Sequence, residues 1–202
     1  MTVAFEPTSV GDLVRALENG AVVGLPTDTV YGLAASLSRP VAVDQLFALK
    51  GRPRDLAIPV LVADLAQAEE VAGGADPRLA VLANRFWPGA LTIAVRRGPG
   101  EQPVLGGDPA TVGVRCPNDD LVRALCRRVG PLAVTSANRH GGAPATTADE
   151  FRAIFVADVG VMLDGGVRDG RPSTVVSIAA GTPRCVRVGA IPFAAVAAAL
   201  AG

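Results

Sequence analysis

Short apolar runs alternate along this chain with segments whose apolar residues recur at helical spacing. Such alternation is typical of α/β proteins, in which strands build a sheet and helices cover it. Ser9 precedes one amphipathic segment as a capping residue, and Pro40 opens another that runs to about Lys50. The predicted strands are 2–6, 21–25, 58–63, 91–95, 111–115, 132–135, 159–163, 173–178 and 185–188. The predicted helices are 11–18, 40–50, one after Asp64, 76–86, 119–128, 147–155 and a short one after Pro192.

These elements predict a single domain over residues 1–202, built as a twisted mixed β-sheet flanked by helices. The length agrees with this, because one hydrophobic core extends to about 250 residues before chains divide into domains. Half of the residues are hydrophobic, and no repeat or shift in composition marks a boundary. No apolar stretch has the roughly 20 residues that a membrane-spanning helix needs.

The charge balance argues against a dedicated nucleic-acid-binding protein. The chain has 19 basic and 19 acidic residues, whereas such proteins carry a basic surplus. The three cysteines form no CxxC pair, which favours reduced thiols and a cytoplasmic protein. The first residues lack the basic and apolar regions of a signal peptide, so we expect none.

Lys50 is the one lysine among the 19 basic residues, and all the others are arginine. A lysine kept on such a background is a candidate for a role that needs a compact point charge, such as contact with a phosphate. Composition alone leaves a surface lysine equally open as the explanation. The surroundings of Lys50 therefore have to decide between the two.

Several polar residues fall at the ends of predicted strands, where the loops of α/β sheets commonly bind ligands. Thr111 and Arg115 are four residues apart, so the strand period of two places them on one face. Taken singly, each such residue also has a structural explanation, such as a turn or an ion pair. The other candidates are Thr27, Asp28, Thr29, Ser136, Asn138, Ser173, Thr174 and Arg187.

Two common kinds of active site are excluded by the sequence. There is no GxxxxGK[ST] motif, which excludes a P-loop nucleotidase. His140 is the only histidine, which excludes a histidine-rich metal site and argues against a Ser-His-Asp hydrolase. We expect His140 to be solvated, since it lies in a glycine-flanked loop.

Taken together, the ordered motifs of the chain resemble the YrdC/TsaC family of threonylcarbamoyl-AMP synthases. The matching segments are LPTDTVYGL at 25–33, LKGRP at 49–53, WPGALT at 87–92, VGVR at 112–115, TSAN at 135–138, STVV at 173–176 and RVGAI at 187–191. They follow the order of the family and extend over nearly the whole chain. The resemblance implies the short form of the family: one YrdC-like domain with a concave, positively lined cavity.

The resemblance implies an enzyme that joins L-threonine, bicarbonate and ATP into threonylcarbamoyl-adenylate and releases pyrophosphate. Proteins of a downstream transfer complex would then place the threonylcarbamoyl group on an adenosine of tRNA. In this reaction the N-carboxy derivative of threonine attacks the α-phosphate of ATP. The protein must mainly gather anions and neutralise charge, so no side-chain nucleophile is needed. Mg²⁺ is expected to be held mainly by the ATP phosphates.

The family motifs also imply roles for individual residues. The tetrad implied to be catalytic is Lys50, Arg52, Ser136 and Asn138. The residues implied to bind ATP are Lys50, Arg52, Thr111, Ser136, Asn138 and Arg187. Those implied to bind threonine are Thr29, Arg115, Val134 and Ser173. In this scheme Arg115 holds the threonine carboxylate, Lys50 and Arg52 hold phosphate and carbamate oxygens, and Ser136 and Asn138 add neutral donors.

Two alternatives stay open at this point. One is a non-catalytic RNA-binding protein of the same fold, or weak RNA binding by the enzyme, for which Lys50, Arg52 and Arg54 provide a local basic cluster. The other is a related adenylate-forming enzyme that acts on a different substrate, as in hydrogenase maturation. The chain departs from the family pattern at the rim of the site, at Leu56, Leu61, Pro144 and 169–172.

Overall fold

The computed structural model describes residues 8–98, 103–168 and 171–201, and these form a mixed sheet of eight strands with helices on both faces. The strands are β1 (Val23–Pro26), β2 (Tyr31–Ser36), β3 (Val60–Leu61), β4 (Leu91–Arg96), β5 (Thr111–Arg115), β6 (Leu132–Ser136), β7 (Thr174–Ser177) and β8 (Arg184–Arg187). The helices are α1 (Val10–Glu18), α2 (Pro40–Lys50), α3 (Leu65–Ala72), α4 (Pro77–Phe86), α5 (Asp120–Val129), α6 (Ala148–Phe155) and α7 (Phe193–Ala199). The strand order is β1-β2-β6-β3-β5-β4-β7-β8. The β3–β5 and β4–β7 pairs are parallel and the others are antiparallel, so the predicted mixed sheet is confirmed.

Capping residues that the sequence identifies lie at the ends of helices α1 and α2. Ser9 caps α1 in a capping box, in which its side chain and that of Asp12 each accept from the other's backbone N–H. Helix α2 begins at Pro40 and ends at Gly51, whose φ of 61° is left-handed and therefore suits glycine. The chain turns back there, and the Arg52 N–H donates to the Phe47 carbonyl at 2.9 Å. This turn places Arg52 beside the end of the helix that carries Lys50.

The two faces of the sheet differ in how they are covered. On one face the larger core packs α2, α3, α4, α6 and α7 through buried side chains such as Leu46, Leu82 and Phe151. On the other face α1 and α5 pack over β1, β2, β3 and β6. Farther along that second face, β4, β5 and β7 carry partly exposed residues such as Gly113. On this face β4, β5 and β7 are therefore less completely buried than β1, β2 and β3.

Most predicted elements are confirmed within one to three residues at their ends, and two predicted strands differ. The predicted strand 58–63 is reduced to Val60–Leu61. The segment 159–163 forms an isolated bridge from Met162 to Gly24 instead of a strand of the sheet. The predicted strand 2–6 lies outside the described residues.

Strand β2 (Tyr31–Ser36) was not predicted, because the sequence gives it no alternating pattern. All six residues are buried, so both of its faces are covered and no polar position marks an exposed side. Gly32, Ala34 and Ala35 also have low strand propensity. Cross-strand packing in the sheet stabilises this strand in spite of that low propensity.

No helix in the described ranges has the length and hydropathy to cross a membrane.

Gly24 in β1 is packed so closely that a larger residue would not fit. An added Cβ would lie 2.3 Å from Phe151 Cζ and 2.6 Å from Met162 Cγ. We expect Gly24→Ala to lower the free energy of unfolding by about 1–3 kcal/mol, since overpacking forces side chains off their rotamers. Thermal unfolding should show a Tm lower by roughly 2–12 °C.

Gly160→Ala is the matched control for this substitution. Gly160 is exposed, and a Cβ added there meets nothing within 4 Å. We expect its Tm to stay near that of the unchanged chain. Equal Tm values for the two variants would contradict the packing argument.

Candidate active site

Lys50 is a buried ammonium held by oxygen atoms of the last residue of β6 and of the segment that follows it. Its Nζ donates to Asn138 Oδ1 at 2.6 Å and to the Ser136 carbonyl at 2.8 Å. Ser136 Oγ and the Asn138 carbonyl lie 3.1 and 3.2 Å away. The residue is 3% exposed, and among the described residues no carboxylate lies in salt-bridge contact with it. Lys50 is therefore a buried cation that neutral oxygens surround, and the surface alternative left open by composition is wrong.

The segment after β6 is fixed against the end of α2 by its own backbone. The His140 N–H donates to the Lys50 carbonyl at 2.7 Å. Asn138 Nδ2 donates to the carbonyls of Arg139 and Gly142 at 2.8 and 2.9 Å. The Asn138 amide is thus held in one orientation, with Oδ1 facing the ammonium. His140 itself is exposed, as its loop position predicts.

Ser136 and Asn138 contact Lys50 in a way that differs from the sequence-based expectation. Both were predicted to offer neutral donors to a nucleotide. Here the Ser136 hydroxyl donates to Asn138 Oδ1 at 2.7 Å, and both amide hydrogens of Asn138 are used by backbone carbonyls. In this arrangement the two side chains position the ammonium, and Lys50 presents the charge.

Arg115 forms a second centre at the end of β5. The residue is 6% exposed, and its Nη2 donates to Asp28 Oδ1 at 2.6 Å in a buried ion pair. Its Nε donates to the Gly89 carbonyl at 2.9 Å, and Nη1 lies 3.4 Å from Thr29 Oγ1. The structure therefore brings together Arg115 and Thr29, two of the residues assigned to threonine.

Ser173 and Arg187 meet beside this second centre. Arg187 Nη2 donates to Ser173 Oγ at 3.0 Å and to the Ser173 carbonyl at 2.9 Å. Ser173 is buried, and its hydroxyl shares a hydrogen bond of 3.0 Å with Thr92 Oγ1 of β4. Although Arg187 lies on the exposed strand β8, its guanidinium is held against the buried hydroxyl.

The remaining candidates lie between or beyond these two centres. Arg52 donates from Nε to the Leu56 carbonyl at 2.9 Å and from Nη2 to the Ala57 carbonyl at 2.7 Å. Val134 is buried on β6, two residues before Ser136, and its side chain therefore lies on the same face of the strand. Thr111 lies at the opposite end of β5 from Arg115, and its hydroxyl donates to the Asp108 carbonyl at 3.2 Å. These contacts do not bring Thr111 to either centre.

Electrostatic interactions link the cations of the two centres into one series. Burial and the charge of Arg52 lower the pKa of Lys50 from 10.5 to about 8. Burial and Arg187 lower the pKa of Arg52, and burial and Arg115 lower the pKa of Arg187. Burial also lowers the pKa of Arg115, while Asp28 opposes that shift. Each cation thus disfavours the charge of its neighbour, and a bound anion would relieve this repulsion.

Two residues of the site were missed by the sequence-based assignment. Asp28 was noticed in the loop after β1 but was given no role, because its partner Arg115 is distant in sequence. Thr92 lies within the matching segment 87–92 but has no polar neighbour in sequence that points to Ser173. The alternation of side chains along a strand could have indicated Thr92. It places Thr92 on the face of β4 opposite to that of the apolar core residues Leu91 and Ile93.

Several relatives with similar sequences are named threonylcarbamoyl-AMP synthase. The threonylcarbamoyl-AMP synthase of Bacillus subtilis is 36% identical over 90% of this chain and 54% of its own length. The protein of that name from Chromohalobacter salexigens is 34% identical over 85% of this chain and 94% of its own. These relatives differ in length, and the chain spans about half of the Bacillus protein.

Solved structures show the same fold. Pyrococcus abyssi Sua5 complexed with L-threonine superposes with a TM-score of 0.88 at 30% identity, over 96% of this chain and 59% of that one. Escherichia coli YciO gives a TM-score of 0.81 at 21% identity, over 91% of this chain and 90% of that one. The second likeness concerns the fold alone.

A family model covers most of the chain and agrees with these similarities. The model of the Sua5/YciO/YrdC family, described as telomere recombination, matches residues 15–189. That range contains both centres, the cations between them and all eight strands. The chain therefore belongs to the Sua5/YciO/YrdC family.

Proposed function

We propose that this chain is a threonylcarbamoyl-AMP synthase, which joins L-threonine, bicarbonate and ATP and releases pyrophosphate. The names of the Bacillus and Chromohalobacter relatives and the threonine complex of Pyrococcus Sua5 support the proposal. The observation that carries it is the buried Lys50 ammonium among neutral oxygens, together with the neighbouring cations Arg52, Arg187 and Arg115. Such a group of cations suits a reaction in which every substrate brings an anionic group.

The proposed chemistry has two steps. The amine of threonine first reacts with bicarbonate, which forms a C–N bond, loses water and gives an N-carboxy group. An oxygen of that carboxylate then attacks the α-phosphorus of ATP, and the bond to the leaving pyrophosphate breaks. Both steps bring anions together, so charge neutralisation and positioning are the main tasks of the protein.

The two centres suit the two ends of this reaction. The buried Lys50 ammonium forms no salt bridge with a described carboxylate, and the charge of Arg52 adds to it, which suits ATP phosphates and pyrophosphate. Arg187, whose charge acts on Arg52, is a further proposed contact with ATP. Arg115 offers a guanidinium fork that suits the threonine carboxylate. The family motifs support further proposed contacts of ATP with Thr111, which lies away from both centres, and of threonine with Thr29, Val134 and Ser173. Ser136 and Asn138 are proposed to act on ATP through the Lys50 ammonium that they position.

In this proposal Mg²⁺ enters with the ATP phosphates and not on protein ligands. Asp28, the carboxylate described at the site, already accepts from Arg115 and from the Asn118 N–H. Within the described residues, no three His, Cys, Asp or Glu side chains are grouped so that they could hold a metal ion. The described site residues therefore do not fit a resident metal, and we assign no step to one.

The adenylate needs an acceptor, and we propose that partner proteins pass its threonylcarbamoyl group to tRNA. Because a mixed carboxylic–phosphoric anhydride hydrolyses readily, the product suits direct transfer to a second enzyme. The balanced overall charge does not favour a main role in RNA binding.

Pyrophosphate release provides the direct test of the proposed function. We expect release from ATP when threonine and bicarbonate are both present, and only background release when either is omitted. Serine and valine in place of threonine test the amino-acid specificity. Release that does not depend on threonine would contradict the proposal, and RNA affinity that falls steeply with salt in the absence of release would favour the alternative.

Lys50→Met tests the charge of the Lys50 centre, because methionine keeps the apolar stem and removes the ammonium. We expect pyrophosphate release to fall by about 100-fold or more, as for the loss of one group that stabilises transition-state charge. Arg128→Ala, at an exposed position of α5, is the control and should keep full activity. Thermal unfolding of both variants checks the fold. Activity retained in folded Lys50→Met would contradict the role of Lys50.

Binding of ATP should also change the protonation of Lys50. With a pKa of about 8, a large fraction of the amine is neutral at pH 8.5. A phosphate beside Nζ favours the ammonium and raises the pKa, so the protein should take up protons as ATP binds. Above pH 8 the affinity for ATP should decrease, since each binding event must then add the missing proton.

Calorimetric titration with ATP at pH 8.5, in buffers of different ionisation enthalpy, measures this uptake. We expect roughly half a proton per ATP at pH 8.5 and less at pH 7, where Lys50 is already charged. Lys50→Arg is the control, since a guanidinium stays charged throughout this range. Equal uptake by both proteins would assign the protons to another group.

A further inference from the structure

We propose that Asp28 is a positioning residue, which holds the Arg115 guanidinium in the orientation that binds the substrate carboxylate. The inference rests on the proposed function and deepens it, because it names a residue on which threonine binding depends. Asp28 itself contacts Arg115 and a backbone N–H, and its effect on substrate passes through Arg115.

The contact between the two side chains is short and shielded from water. Asp28 Oδ1 accepts from Arg115 Nη2 at 2.6 Å, and the two side chains are 11% and 7% exposed. Asp28 Oδ2 accepts from the Asn118 N–H at 3.0 Å. Both oxygens of the carboxylate are therefore engaged, so its plane is fixed relative to the guanidinium.

Asp28 is itself held by a tight turn between β1 and β2. Thr27 Oγ1 donates to the Val30 carbonyl at 2.7 Å and accepts from the Thr29 N–H at 3.2 Å. Thr27 is buried at 4% exposure. This turn places the Asp28 carboxylate next to Nη2 of Arg115 and the Thr29 hydroxyl next to Nη1.

Two separate segments of chain, the turn between β1 and β2 and the segment at Gly89, thus fix the guanidinium through three contacts. Asp28 accepts from Nη2, Thr29 Oγ1 lies near Nη1, and the Gly89 carbonyl accepts from Nε. A guanidinium has five N–H bonds in one plane, so these described contacts leave two for a ligand. Two N–H bonds of a fixed fork match the two oxygens of a carboxylate.

Asp28 has a second possible effect on threonine, and the two effects have opposite signs. As a negative charge beside Arg115, it competes with the substrate carboxylate and weakens its binding. As a positioning residue, it orders the fork and strengthens that binding. Removal of its charge therefore distinguishes the two, because competition predicts tighter threonine binding and positioning predicts weaker binding.

The test compares Asp28→Asn with the unchanged full-length chain. We expect the Kd and KM for threonine to rise at least about tenfold, the scale of losing a hydrogen bond between charged groups, while the KM for ATP changes less than about twofold. Asp149→Asn is the matched control, since Asp149 forms an exposed pair with Arg152 and is 93% exposed. The control should leave both KM values unchanged.

Thr27→Val gives a second test in which every charge is kept. Valine has the shape of threonine but cannot hold the turn that presents Asp28, so threonine binding should weaken here as well. Thermal unfolding of both variants reports the fraction folded at the assay temperature. Thr27→Val also provides the measurement if Asp28→Asn does not fold.

Three outcomes would overturn the role of Asp28. They are threonine binding that is unchanged in Asp28→Asn, binding that is tighter, and an equal loss of threonine and ATP binding, which would indicate a general role in folding. Failure of the proposed function is distinguishable from all of these. In that case the unchanged chain itself would release no pyrophosphate in response to threonine.

Discussion

The buried ammonium of Lys50 is the constraint on which the rest of the site depends. Burial of a charge costs several kcal/mol unless polar groups replace the lost water. Four oxygens of Ser136 and Asn138 do so here, and all four are neutral. They solvate the charge without cancelling it. The end of α2, the loop after β6 and the turn at Gly51 therefore maintain a positive charge where an anion can approach.

The two centres of the site differ in net charge, and this difference separates their ligands. Lys50 keeps its charge among neutral oxygens, and the nearby Arg52 adds to it, which suits a polyphosphate. Arg115 is paired with Asp28 at 2.6 Å, so a carboxylate balances its charge while the guanidinium still offers directed donors. Such a centre suits an amino acid, which carries a carboxylate and an ammonium together. The ammonium of Lys50 and the guanidinium of Arg115 thus have different partners, and this suits each to a different proposed ligand.

The sequence predicted the parts of this structure that depend on nearby residues. The N-cap at Ser9 and the extent of α2 from Pro40 to Lys50 follow from local signals and are confirmed. The pairing of Asp28 with Arg115 could not be predicted, because it depends on how a turn folds over a distant strand. For Asn138 the motif predicted importance, but the direction of its amide depends on the backbone carbonyls around it. The family resemblance therefore identified the candidate site residues, and the structure showed which groups each of them contacts.

Helices cover the two faces of the sheet to different extents, and this explains how the side chains of the site can come together. The core under β4, β5 and β7 is complete on one face, so these strands are stable without a helix on the other. On that other face Gly113 is a position where any side chain would occupy the space above the strands. Arg187 and Arg52 belong to separate segments, and the charge of Arg187 lowers the pKa of Arg52. In the proposed function the sheet therefore provides a rigid base, and the segments around it determine which anions bind.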